Sequence, residues 1–294
     1  MPTHQKVRIV CISDTHNHAP GEGYTLPKGD ILIHAGDLTN QGSLAEIKKV
    51  VEWIEKTEFA VKVVVAGNHD ISLDANYALE NSAGWHVQPD EPEVCRDLLT
   101  HNTNFTYLHH SSAVVDVPDK HVSLRMFGSP YSPDRGRQNW AFQYNDEQAQ
   151  GLWDAIPAET DIIVTHTPPA EYCDASTHWQ EGGCPALLKA LGRVRPLLHV
   201  CGHCHEGRGA KMVHWDDSED SVASSDGWQD PGAGNKKQSL FDLTSSRDRR
   251  FEAGQATAVV NASIMAKSFG RGTKSFNKPI IVDIDVSALS VKDR

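Results

Sequence analysis

No apolar run in this 294-residue sequence approaches the roughly 20 residues that a bilayer crossing needs, so no membrane partner is expected. The stretch from Met1 to Lys6 is polar and passes straight into an apolar segment. It lacks the apolar run of a signal peptide, and a cytoplasmic protein is the expectation. Cysteine is scarce: Cys11, Cys95, Cys173, Cys184, Cys201 and Cys204 in a chain this long do not make a small disulfide scaffold. Positive charge is in deficit, with 28 Lys and Arg against 39 Asp and Glu and a formal net charge of -11. That balance disfavours a protein that grips long DNA or RNA by neutralising phosphates. A phosphate-bearing substrate must then be held locally, which bound metal cations would do.

What is present is a set of five short patterns in fixed order: Asp14-Thr15-His16, Gly36-Asp37, Gly67-Asn68-His69-Asp70, His166, and Gly202-His203-Cys204-His205. Their oxygens and imidazoles suffice for two metal ions. Each follows an apolar segment. Val7 to Ile12, Ile31 to Ala35 and Val61 to Ala66 are short and rich in β-branched residues, as buried strands are. Asp161 to Thr165 leads to His166, and Leu197 to Cys201 leads to His203 and His205. Ser43-Leu44-Ala45-Glu46 predicts a capping box that opens a helix through about Lys56. Asn145 predicts a cap for a helix from Asp146 to Ala155, and another helix is expected from Cys184 to Leu191. Strands and helices alternate, so the expectation is one α/β domain over 1–294 with the ligand candidates at the carboxyl ends of strands.

The middle of the chain is less regular. The stretch from Asn81 to Asp97, rich in Pro, Asp and Glu, predicts a surface loop, and Val122 to Phe127 predicts a strand. Arg135, Arg137, Trp140, Phe142 and Tyr144 lie close together. They could form a wall that stacks on an aromatic substrate while an Arg meets a phosphate, or an aromatic loop packed on the domain. The acidic, Gly- and Ser-rich region at about 213–256 is expected to be an insertion, a solvated loop more readily than a lid. Ala258 to Ile264 and Pro279 to Asp285 are expected as the last strands. Cys201-x-x-Cys204 has no second Cys-x-x-Cys and encloses His203, which favours a metal ligand over a redox pair. His18 and His34 lie near the motifs, as packing residues or as supports for the ligands.

Taken singly, each motif has a plain account: Asp14 caps a turn, His16 sits on the surface, Gly36-Asp37 makes a turn. The ordered set D-x-H, G-D, G-N-H-[DE], H and G-H-x-H resembles the calcineurin-like metallophosphoesterase superfamily. Cys11-Ile12-Ser13-Asp14-Thr15-His16, Arg193-Val194-Arg195-Pro196, Leu198-His199-Val200, His205-Glu206-Gly207, Asn261-Ala262-Ser263 and Pro279-Ile280-Ile281 look like the metallophosphoesterase-domain-containing branch. The resemblance implies a two-sheet β-sandwich flanked by helices, a four-layer α/β/β/α fold. It implies that Asp14, His16, Asp37 and His205 hold one divalent ion and that Asp37, Asn68, His166 and His203 hold the other, with Asp37 as the bridge. Some animal members of that branch carry Gly at the first His of G-H-x-H; here His203 is present.

The chemistry that follows is attack on phosphorus by a hydroxide shared between the ions, with His69 assisting the leaving oxygen and Asp70 orienting His69. Mn²⁺ is favoured, and Fe, Zn²⁺ or Ni²⁺ also suit these nitrogen and oxygen donors. Gly36-Asp37-Leu38-Thr39-Asn40-Gln41-Gly42 lacks the Asp-Arg-Gly continuation typical of phosphoprotein phosphatases. A small phosphodiester, such as a cyclic nucleotide, is the expected substrate. A phosphomonoesterase and a low-turnover nucleotide-binding or scaffold protein on the same fold are the alternatives.

Overall fold

A computed structural model describes residues 4–80, 91–136, 140–178, 182–216, 221–244, 254–267 and 274–287, and among the described residues there are fifteen strands and five α-helices. In chain order the strands are β1 (His4–Ile12), β2 (Ile31–Ala35), β3 (Val61–Val65), β4 (Thr106–Tyr107), β5 (Ser111–Val117), β6 (Val122–Ser129), β7 (Ser132–Pro133) and β8 (Gln143–Tyr144). There follow β9 (Ile162–Thr165), β10 (Leu198–Cys201), β11 (Gly209–Trp215), β12 (Val222–Gly227), β13 (Ser239–Asp242), β14 (Ala256–Asn261) and β15 (Ile280–Ser287). The helices are α1 (Leu44–Glu55), α2 (Ala75–Glu80), α3 (Pro92–Thr100), α4 (Asp146–Asp154) and α5 (Pro185–Val194).

One sheet runs β13-β15-β1-β2-β3-β4, and the other β12-β11-β14-β10-β9-β6-β5. Side chains alternate across a strand, so each buried strand serves two layers. Val7, Ile9 and Cys11 of β1 meet Ile162 and Val164 of β9 and Leu198 and Val200 of β10 between the sheets. Val10 and Ile12 point the other way, onto Ile47, Val50 and Ile54 of α1 and Cys95 and Leu99 of α3. On the far side, Ile163 and Val259 pack against Trp153 of α4 and Leu187 and Leu191 of α5. The four layers are therefore α/β/β/α, as expected from the resemblance.

The capping box of α1 forms as its sequence predicts, with Ser43 and Glu46 each bonding the other's backbone N–H. Asn145 and Gln148 do the same for α4. Two expectations need correction. The segment 81–97 is not wholly a loop: 81–90 lie outside the described residues, and Pro92–Thr100 is helical because Pro92 suits the first turn and Cys95 and Leu99 bury one face. Nor is 213–256 wholly an excursion. Within it, β12 pairs with β11 at the edge of the second sheet, and β13 pairs in parallel with β15 at the edge of the first.

Candidate metal centre

Six parallel strands end at one rim. β1, β2 and β3 of the first sheet lead to Asp14, Asp37 and Asn68, while β9, β10 and β14 of the second lead to His166, His203 and Ser263. Backbone hydrogen bonds stitch the two rims together, Ser13 N–H to the Ala262 carbonyl at 3.0 Å and Ile264 N–H to the Ser13 carbonyl at 2.8 Å. The turns are tight enough that Asp14, His16, Asn17, Asp37 and His203 all have positive φ, between 41° and 66°. Such left-handed backbone in non-glycine residues is strained and collects at functional sites. At two glycines the close approach of the neighbouring turn leaves no room for a side chain: a Cβ on Gly67 would strike Asp37, and one on Gly202 would strike Ser13 and Asp14.

Asp14, His16, Asp37 and His205 bring one ligand atom each to within 4.8 Å of one another. The Nε2 atoms of His16 and His205 stand 3.3 Å apart, and His205 Nε2 is 3.2 Å from Asp14 Oδ1. The Asp14 carboxylate also accepts the His203 backbone N–H at 3.1 Å and the Ser263 hydroxyl at 2.8 Å. Burial opposes its ionisation, yet His205 beside it holds it well below the usual carboxylate range. His16 points Nδ1 at the Thr39 carbonyl, 3.3 Å away, which accepts only. Nδ1 therefore carries the proton and Nε2 turns its lone pair inward. Burial pushes the His16 imidazole down to about 3, so that lone pair is free of a proton at neutral pH.

A second group shares Asp37. His166 Nε2 lies 2.9 Å from Asn68 Oδ1 and 3.3 Å from Asp37 Oδ1, and its Nδ1 lies 3.0 Å from the Ala35 carbonyl across the sheet interface. Burial alone would lower the His166 imidazolium, but Asp37 raises it to about 9. His203 packs its ring edge-on to His166 with centroids 5.0 Å apart. Burial, then the charge of His166, push His203 down to about 3. Asp37 spans both groups: Oδ1 faces His166, and Oδ2 faces His16 at 3.6 Å. The neutral imidazoles of His16 and His203 and the carboxylates of Asp14 and Asp37 gather in one buried space, a nitrogen and oxygen donor set that fits divalent metal ions.

All seven proposed ligands thus stand at the rim, together with His69. Asp70 stands elsewhere than expected. Its carboxylate accepts the backbone N–H of Gly67 at 2.7 Å, Leu38 at 3.2 Å and Thr39 at 2.9 Å, and the Thr39 hydroxyl at 2.7 Å. It ties the Gly36-Asp37 turn to the Gly67-Asn68 turn and does not reach the His69 ring. Burial and the nearby Asp37 push it up to about 6. The group that orients His69 is the Asn40 carbonyl, 2.8 Å from Nδ1. Three further residues escaped the motifs. Asn261 donates its amide to the carbonyls of Cys173, Gly202 and Cys204, Ser263 holds Asp14, and Trp140 stacks on His69. Asn261 and Ser263 lie in a segment that carried the resemblance; Trp140 belonged to the expected aromatic wall. Arg135 of that wall donates to the Gly183 carbonyl at 3.0 Å, and Arg137 lies outside the described residues. His34 supports the first motif, its Nε2 2.9 Å from the Thr15 hydroxyl. None of the six cysteines is in a disulfide, and burial pushes the Cys201 and Cys204 thiols well above their ordinary values, which disfavours the reactive thiolate form.

A four-layer sandwich with a histidine- and carboxylate-rich centre at the rim of both sheets defines a class of metal-dependent proteins. Residues 7–207 match the family described as calcineurin-like phosphoesterase, and the chain belongs to that family, whose members use divalent metals. It is 36% identical over 212 residues to metallophosphoesterase domain-containing protein 1 of Homo sapiens, covering 69% of this chain and 61% of that one. It is 42% identical over 216 residues to a probable rhamnogalacturonate lyase C of Emericella nidulans, covering 73% of this chain and 18% of that protein. The chain thus spans less than two thirds of either relative. A purple acid phosphatase from yellow lupin seeds is similar at 12% identity and a TM-score of 0.40, over 94% of this chain and 47% of that one. Among the described residues no helix is long and apolar enough to cross a membrane.

Proposed function

We propose that this protein hydrolyses small phosphodiesters of the cyclic-nucleotide kind, with two divalent cations held by Asp14, His16, Asp37, Asn68, His166, His203 and His205. The observation that carries the reading is the carboxylate of Asp37, whose two oxygens face different histidines, one in each group of donors. A carboxylate so placed is suited to bridge two cations. Bound there, the cations would supply Lewis acidity to the phosphoryl oxygens and lower the pKa of water toward neutrality.

The chain's own residues supply the rest. His16 and His166 give their Nδ1 protons to backbone carbonyls, so their Nε2 atoms face the centre with fixed aim. Ser263 and the His203 backbone N–H hold Asp14 in place. His69 has its backbone N–H on Asp37 Oδ1 at 2.9 Å, which sets its Cα beside the bridge, and its Nδ1 on the Asn40 carbonyl. As an imidazolium the ring carries a second proton on Nε2, and that proton is the one it would give to the leaving oxygen. The diester preference rests on the chain's excess of negative charge and on the branch that the metallophosphoesterase domain-containing relative represents. The lyase named for the Emericella nidulans protein is not carried over, because the match covers 18% of it.

Hydrolysis of bis(4-nitrophenyl) phosphate and 4-nitrophenyl phosphate by metal-stripped protein reloaded with Mn²⁺, Fe, Zn²⁺ or Ni²⁺ tests this. Diester turnover that needs the metal, with Mn²⁺ most effective, is expected. Preference for the monoester points to a phosphomonoesterase; metal binding without turnover of either ester points to a nucleotide-binding or scaffold protein.

A further inference from the structure

We infer that Trp140 is a positioning residue for His69, holding the plane of its ring, an assignment that rests on the reading of His69 as proton donor to the leaving group. The indole and imidazole centroids are 4.1 Å apart with an interplanar angle of 30°, a close but tilted stack. On another side the ring of His16 meets His69 edge-on at 4.8 Å. The imidazole has two torsions to fix. The bond from Nδ1 to the Asn40 carbonyl decides which ring edge faces inward, but a single hydrogen bond leaves the ring free to tilt about it. The stacked indole removes that tilt.

Trp140 is itself tied to the loop it serves. The Ala141 N–H bonds the carbonyl of Asn68, the residue just before His69, at 3.2 Å. The Phe142 N–H bonds Asp74 Oδ2 at 2.7 Å, and the Trp140 N–H bonds Gln143 Oε1 at 2.9 Å. Ala141 and Phe142 are buried, so the segment 140–142 is anchored in the core at the two residues that follow the indole. Indole and imidazole therefore hang from two loops that share hydrogen bonds at their bases, and their relative position is fixed by backbone. A proton donor misplaced by about 1 Å costs on the order of a hundredfold, so a device that fixes one ring plane is worth a measurable part of the rate.

The contribution of a proton donor grows with the basicity of the leaving group, which separates positioning from mere folding. The test compares a 4-nitrophenyl phosphodiester with the phenyl diester of the same acid, in Mn²⁺-loaded wild type, Trp140→Leu, Trp140→Phe and His69→Ala. In Trp140→Leu the ratio of kcat on the phenyl ester to kcat on the 4-nitrophenyl ester is expected to fall about tenfold, and Trp140→Phe, which keeps an aromatic face, should recover it to within about threefold. His69→Ala should lower the ratio further. A ratio unchanged in Trp140→Leu but lowered in His69→Ala overturns the role of Trp140 alone; a ratio unchanged in both removes the reading of His69 beneath it. Independently of turnover, the His69 ring protons of the metal-free protein should show the upfield shift of a stacked indole, lost in Trp140→Leu and kept in Trp140→Phe. Ring protons at ordinary positions in the wild type would show that the stack is not formed and would overturn the proposal.

Discussion

Replacing Asp37 by Asn keeps the side chain's shape and removes its charge. The amide oxygen can still accept the His69 N–H that Oδ1 accepts at 2.9 Å, while the NH2 group takes the place of Oδ2 opposite His16 Nε2 at 3.6 Å. The metal-free fold should therefore survive. It loses the charge-assisted contact with His166 at 3.3 Å, worth about 1.5–3 kcal/mol, which for a chain of this size lowers Tm by about 3–10 °C. The larger effect concerns metal. Wild-type protein at a metal concentration a hundred times Kd should gain about 2.7 kcal/mol, or roughly 5–10 °C in Tm. In Asp37→Asn the bridging carboxylate is gone and the NH2 hydrogens point where a cation would lie, so the gain should shrink to under about 2 °C. Thermal unfolding with and without Mn²⁺, beside metal content by elemental analysis, reads both effects. Two tightly held equivalents and the full Tm rise in Asp37→Asn would refute the bridge.

Three further outcomes follow from the geometry. Asp70→Asn puts an NH2 group among the backbone donors of Gly67, Leu38 and Thr39 and should cost about 2–4 kcal/mol in urea unfolding, without the leaving-group signature of His69→Ala, because its carboxylate does not touch that ring. Gly202→Ala forces a Cβ into Ser13 and Asp14; a loss of about 1–3 kcal/mol with weakened metal binding by calorimetry is expected, and a neutral result would contradict the close approach. At the far end of β1, burial opposes ionisation of Asp283, but Arg8 at 2.7 and 2.8 Å and Lys6 keep its carboxyl below the ordinary value. A depressed carboxyl stabilises the fold above its unfolded pKa of about 4 and loses that contribution as pH falls through the folded value, so Asp283→Ala should cost about 1.5–3 kcal/mol at pH 7 and flatten the acid limb of a stability-against-pH curve.

The motifs that carry the candidate donors were legible because each is local: an apolar strand, then a turn residue, then a donor. The strand ends at Ile12, Ala35, Val65, Thr165 and Cys201 fall within one residue of where hydrophobic patterning puts them, and the capping boxes of α1 and α4 depend only on residues three apart. The roles of the residues that hold the donors in place were not legible. Ser263 meets Asp14 across 249 residues of sequence and Asn261 meets Cys173 across 88, and a lone Ser or Asn carries no periodicity to announce it. The β13 strand joins the first sheet only because β15 offers it an edge, and its four residues, Ser239 to Asp242, show no strand signal of their own within an acidic, glycine-rich stretch.

The sequence by itself determined the strand ends and the kind of donor at each of them, since hydrophobic patterning and turn chemistry act over a few residues; the four layers were implied only by the resemblance. Which atoms face one another was decided by tertiary structure. The clearest case is the Gly67-Asn68-His69-Asp70 turn, where adjacency suggested that Asp70 serves His69. Side chains of neighbouring residues in such a turn diverge, so Asp70 points down into the backbone N–H groups of the Gly36-Asp37 turn, while His69 points up to the Asn40 carbonyl and the indole of Trp140. Burial makes the difference binding: a carboxylate at 0% exposure takes the nearest donors, and packing of the two sheets put backbone N–H groups there rather than an imidazole.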